Sequence, residues 1–90
     1  QELDALIQFK KNHLSSLSKD LLQYEAKAAE IERLGRQIPQ AVLIDIDRTQ
    51  KSIGTLETEI MEAERQATTV NAEFVAIISR LQYLQTLQSQ

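Results

Sequence analysis

The chain has 90 residues, of which 42 % are hydrophobic and 26 % charged, with a net charge of −3, no Cys, two Gly and one Pro. The missing Cys excludes disulfides and thiolate metal sites, and the apolar content argues against disorder. The acidic balance argues against nucleic acid and anionic membrane as partners, because no basic face exists to displace counterions. No run of about 18 apolar residues occurs, so no segment is expected to span a bilayer.

The start, Gln1-Glu2-Leu3-Asp4, is neither a signal peptide nor an initiator sequence. The expectation is therefore one coiled-coil segment, 1–90, excised from a longer protein. From Leu3 onward apolar residues recur in heptads. The a positions are Ile7, Leu14, Leu21, Ala28 and Gly35, and the d positions are Leu3, Lys10, Leu17, Tyr24, Ile31 and Ile38. Lys10 and the terminal Gly35 are the departures. Such a repeat keeps one seam turned toward a partner helix.

Gly35 and Pro39 punctuate the chain. Gly suits the left-handed position past a helix end, and Pro suits the first turn of the next helix. The predicted architecture is all-α: a coiled-coil hairpin of two long antiparallel helices, about 2–35 and 39–89. At ~1.5 Å per residue, their lengths are roughly 50 and 75 Å.

The second stripe reads Val42, Ile46, Thr49, Ile53, Leu56, Ile60, Ala63, Ala67, Val70, Phe74, Ile77, Leu81 and Leu84. Folding the chain at Ile38/Pro39 sets partners at numbers that sum to about 77, and every a then faces a d. Ile7 meets Val70, Leu14 meets Ala63, Leu17 meets Ile60, and Leu21 meets Leu56. Tyr24 meets Ile53, Ala28 meets Thr49, Ile31 meets Ile46, and Lys10 passes Ala67. Registers seven residues away satisfy the same rule.

The second helix overruns the first. After Glu73 only Arg80 is ionic, and Val75, Ile78, Tyr83 and Leu87 widen the apolar arc. An overhanging helix of this kind needs a partner. Phe74, Ile77, Ile78, Leu81, Leu84 and Leu87 are the expected partner-binding residues. The rival architecture is a three-helix bundle with a break near 68–71, where Asn71 would cap a third helix. Gly54 lies off the seam and reads as tolerated.

Other polar groups read as structural. His13 is the lone His and lacks a metal-ligating companion. Glu57, Glu59, Glu62 and Glu64 form a solvated acidic face, with Glu57 and Glu64 placed to select a partner by charge. Asp45 and Asp47 suit a helix start, and Asp47–Lys51 and Glu32–Arg36 are favourable (i, i+4) pairs. Lys10-Lys11 is too small for a nucleic-acid patch. Ser15, Ser16 and Ser18 are possible phosphate acceptors that nothing demands. No catalytic arrangement, cofactor loop or metal set is present, so no enzyme, no cofactor and no small-molecule substrate are expected.

The opening Glu2-Leu3-Asp4-Ala5-Leu6-Ile7-Gln8-Phe9-Lys10-Lys11, the interruption Arg36-Gln37-Ile38-Pro39-Gln40-Ala41-Val42 and the long heptad helix after it give the chain a resemblance to a known family. It resembles the coiled-coil region of the small FG-repeat nucleoporins of the nuclear-pore channel complex. That resemblance implies an intracellular address at the nuclear envelope. It also implies a heteromeric coiled coil with two other nucleoporins, supporting nucleocytoplasmic transport. No Phe-Gly dipeptide occurs, so no receptor-binding residue carries over. A subunit of a kinetochore or vesicle-tethering complex fits the same heptads, and a membrane-surface amphipathic helix is a third reading. The expected partners are other coiled-coil chains as a hetero-oligomer, or a homo-oligomer in isolation, with no nucleic acid and no membrane.

Overall fold

Two helices account for nearly all of the chain in a computed structural model, which describes residues 2–89. Helix α1 runs Glu2–Arg33 and helix α2 runs Gln40–Gln88. They lie antiparallel as a hairpin, and the molecule measures 84 × 17 × 14 Å. Helix α1 is electrostatically apt, with Glu2 and Asp4 in its first turn and Arg33 in its last.

The reversal follows from the two punctuating residues. Gly35 takes φ +72°, which carries a steric penalty for any residue with a Cβ. Its amide donates to the Glu32 carbonyl at 2.9 Å, and the Arg36 amide donates to the Ile31 carbonyl at 3.1 Å. This is the Schellman pattern that satisfies the last carbonyls of a helix. Helix α1 therefore stops at Arg33, two residues short of the expected 35. Arg36 lies beyond the helix, so the expected Glu32–Arg36 pair gives way to Glu30–Arg33. Pro39, at φ −59° and ψ 143°, is the residue before α2, and its carbonyl accepts from the Val42 amide at 3.0 Å. Helix α2 thus starts at Gln40 rather than 39 and ends at Gln88 rather than 89. Asp45 and Asp47 fall after its first turn, too far along to meet the dipole strongly; Asp47 instead holds Lys51 at 2.9 Å.

The seam follows the heptads. Ala28, Val42, Thr49, Leu56, Ile60 and Ala63 are buried. Leu3, Ile7, Lys10, Leu14, Leu17, Leu21, Tyr24, Ile31, Ile46, Ile53 and Ala67 are half-buried. Two helices alone cannot enclose a side chain, and none of the described ones is fully buried. Thr49, the polar seam residue, donates its hydroxyl to the Asp45 carbonyl at 2.7 Å, so its burial leaves no unpaired group.

The register is one heptad away from the one predicted. Lys10 Nζ lies 2.8 Å from Glu59 Oε2, and Lys11 Nζ lies 3.6 Å from Glu64 Oε2. Leu6 and Gln66 line one shallow depression between the helices, and His13 and Glu59 line another. The Lys10–Glu59 contact, with Val70 and Phe74 exposed where a sum of 77 would cover them, sets seam partners at numbers that sum to about 70. Ile7 is then level with Ala63, Lys10 with Ile60, Leu14 with Leu56 and Leu17 with Ile53. Leu21 is level with Thr49, Tyr24 with Ile46, and Ala28 with Val42. Ile31 comes beside the link instead of Ile46. Val70, expected opposite Ile7, has no partner and is 45 % exposed, so it leaves the seam.

Helix α2 shows no break at 68–71. The hydroxyls of Thr68 and Thr69 donate to the carbonyls of Glu64 and Arg65, which folds their polarity into the helix. Asn71 is an interior helical residue, and the three-helix bundle is thereby corrected to a continuous helix.

Candidate functional site

With this register, Glu2 is level with about residue 68, and α2 extends roughly 30 Å beyond α1 at ~1.5 Å per residue. Every residue from 71 to 89 is exposed. The arm carries two successive heptads, with Phe74 and Leu81 at a and Val70, Ile77 and Leu84 at d. Ile78 lies on one flank of this stripe, Leu87 on the other, and Val75 and Tyr83 face away from it. Phe74 is 61 % exposed, Ile77 58 %, Leu81 55 %, and even the most sheltered, Ile78, is 38 % exposed. The six residues expected to bind a partner thus share one unpartnered helical face.

The arm is helical without tertiary support. Ala72, Glu73, Ala76, Leu81, Leu84 and the Gln residues favour helix, whereas Val70, Val75, Ile77 and Ile78 lose rotamer freedom there. A helix of about 20 residues with such a mixture is marginal in water when nothing packs against it.

A shallow groove runs along one flank of the hairpin toward the arm. Phe9, His13, Leu17, Leu56 and Glu59 line its first part. Leu3, Leu6, Thr58, Ala63 and Gln66 line the second. Leu3, Gln66, Thr69, Val70 and Glu73 line the third, where α1 begins and α2 continues alone. Periodicity did not reveal this groove, because it depends on which flank residues the register sets side by side. On the opposite flank Lys11 meets Glu64. Among the acidic face residues, Glu59 and Glu64 are tied to α1, while Glu62 pairs with Arg65 within α2. Arg65 donates to Glu62 through Nε at 3.0 Å and through Nη2. These bonds hold the Glu62 carboxyl below its ordinary range and raise the Arg65 guanidinium. The hydrogen bond from Arg33 to Glu30 likewise raises the Arg33 guanidinium.

Among the described residues no cluster of three metal-ligating side chains occurs, and no helix is long and apolar enough to cross a membrane. No family model, curated protein or solved structure matches the chain.

Proposed function

We propose that this chain is a structural assembly segment, acting by binding rather than catalysis, whose hairpin stalk carries one helical arm that docks onto helices of other coiled-coil chains. The observation that carries the reading is the uninterrupted exposure of 71–89 around Phe74, Ile77, Ile78, Leu81, Leu84 and Leu87. Apolar surface of that extent on one helix is stabilised by removing it from water. The long, thin shape suits a spacer or scaffold element rather than a concave binding site.

The setting we propose is the nuclear-pore channel, in a heteromeric coiled coil at the nuclear envelope. The support is the sequence resemblance carried by the opening helix and the interruption before Val42. The functional contribution there is mechanical, namely holding chains in register so that transport can proceed.

Site-specific photo-cross-linking in cells tests this reading. A photoreactive side chain at Phe74 or Leu81 should attach a coiled-coil chain in good yield, and one at the outward-facing Asn12 should not. Adducts confined to lipid, or no protein adduct at either arm position, would remove the arm as a docking element.

A further inference from the structure

The hairpin supplies a rule for how antiparallel helices of this chain meet. When seam residues are paired, Leu6 and Gln66 share one stretch of the groove flank, and His13 and Glu59 share another. On that same flank the arm carries Glu73 and Arg80, one heptad apart, and no other ionic residue follows Glu73. Opposite charges spaced this way are self-complementary. We infer that a second copy of this chain docks on the arm, antiparallel, about a two-fold axis passing between Val75 and Ala76.

In that arrangement Phe74 packs on the partner's Ile77, and Val70 on the partner's Leu81, each contact occurring twice by symmetry. The flank geometry of an antiparallel pair then sets Glu73 against the partner's Arg80, and Arg80 against the partner's Glu73. Shifting the arms apart by one heptad sets Arg80 against its own symmetry mate and Glu73 against the partner's Leu87. Shifting them together by one heptad drives most of the partner arm into α1. A parallel pair leaves both charges facing Ile78 and Gln85. Only one register matches charge, apolar stripe and space together.

The end of the partner arm runs past the pairing. Ala67 is already level with Leu3 of α1, so the partner's Leu84 cannot enter the seam there. The partner's residues from about 83 onward come level with α1 and splay away from the seam. The pairing thus covers roughly 70–82 on each arm at ~1.5 Å per residue, ending where Leu3, Gln66, Thr69, Val70 and Glu73 line the third part of the groove. Val70, left without a partner by the hairpin's own register, is covered at the same time.

This inference rests on the arm being a docking surface and puts a second copy on the face that the heteromeric setting would give to a different chain, so the two are alternative occupants of it. The test is the mass of the whole 90-residue chain by sedimentation, for the native sequence and three variants. The native chain should form a dimer. Arg80→Glu puts a carboxylate against the partner's Glu73 twice, and should weaken the dimer about tenfold. Glu73→Arg should do the same, and the double variant should regain native affinity. All four residues involved are exposed, so helicity by circular dichroism should stay the same in every variant. A monomer at hundreds of micromolar overturns the inference, as does a dimer that Arg80→Glu leaves unchanged or that the double variant fails to rescue. Photo-adducts from Phe74 to a different chain, with a monomeric mass, would sink the self-pairing and leave the scaffold reading in place.

Discussion

Lys10 occupies a seam position on α1 and reaches across to Glu59 of α2 at 2.8 Å. Its side chain keeps 23 % of its surface exposed, so the aliphatic stem crosses the seam level with Ile60 while the ammonium group stays wet. The pair itself is weak, because Glu59 is about half in water. Its larger effect is on register, since shifting the helices by one heptad removes the carboxylate from reach. Replacing Lys10 by Leu should raise stability by about 1 kcal/mol while loosening register specificity. The chain has no Cys, so paired Cys substitutions read this directly. Ile7→Cys with Ala63→Cys should cross-link in the otherwise native chain, and Ile7→Cys with Val70→Cys should do so only when Lys10→Leu is added. Ready closure of the Ile7/Val70 pair without that change would contradict the register.

Core and arm should respond oppositely to damage. Ile60 is 6 % exposed and Leu56 8 %. Ile60→Ala should lower the stability of the isolated monomer by about 2 kcal/mol. Leu21→Asp, facing buried Thr49, should abolish cooperative melting through an unpaired charge in the seam. Ile77→Asp should leave the monomer within about 0.5 kcal/mol of native. Thermal melting at submicromolar concentration compares the three.

The two glycines predict opposite signs. Gly54 is helical, and a Cβ there would meet nothing, so Gly54→Ala should stabilise by about 0.8 kcal/mol. A Cβ at Gly35 also meets nothing, but φ +72° is strained for any L side chain. Gly35→Ala should therefore destabilise by about 1 kcal/mol, with Gly35→Asn milder. A denaturant titration that found equal signs would refute the backbone argument.

Glu62 ties a small part of the stability to pH. Its hydrogen bonds from Arg65 hold the folded-state pKa below the ordinary 4.5, against an opposing effect of desolvation. A carboxyl with a depressed folded pKa contributes stability that is fully present above the unfolded value and lost as pH falls through the lower folded one. The contribution therefore disappears only below pH 4.5. Carboxyl-carbon NMR should show the Glu62 midpoint moving up in Arg65→Ala, and an unchanged midpoint would show that the pair does not persist in solution.

Hydrogen exchange should divide α2 in two. Amides between Val42 and Ala63 sit behind the buried seam, whereas those after Val70 depend on an unsupported helix. At dilute concentration the arm should exchange faster than the stalk. Equal protection along α2 in a demonstrably monomeric sample would mean that the arm needs no partner.

Much of this molecule is written in the order of its residues. The heptads from Ile7 to Ile31 and from Val42 to Ala67 name the faces that meet, because a 3.5-residue repeat permits one seam per helix. Gly35 and Pro39 mark the reversal, since one tolerates positive φ and the other cannot continue a preceding helix. The long α2 follows from an unbroken phase through Ala67, Val70 and Phe74.

What the order of residues left open was which heptad faces which, because the a-to-d rule repeats every seven residues. The turn and the cross-helix contact of Lys10 with Glu59 together mark it. Ending α1 at Arg33 and starting α2 at Gln40 centres the link near Arg36 and Gln37. Of the two permitted registers, the lower lies nearer that centre. The consequence reaches the far end of the molecule, where Val70 loses Ile7 and the free arm begins one heptad sooner. The link and the Lys10–Glu59 contact thus set how much apolar surface stands bare some 50 Å from the turn, a length no periodicity along the chain could supply.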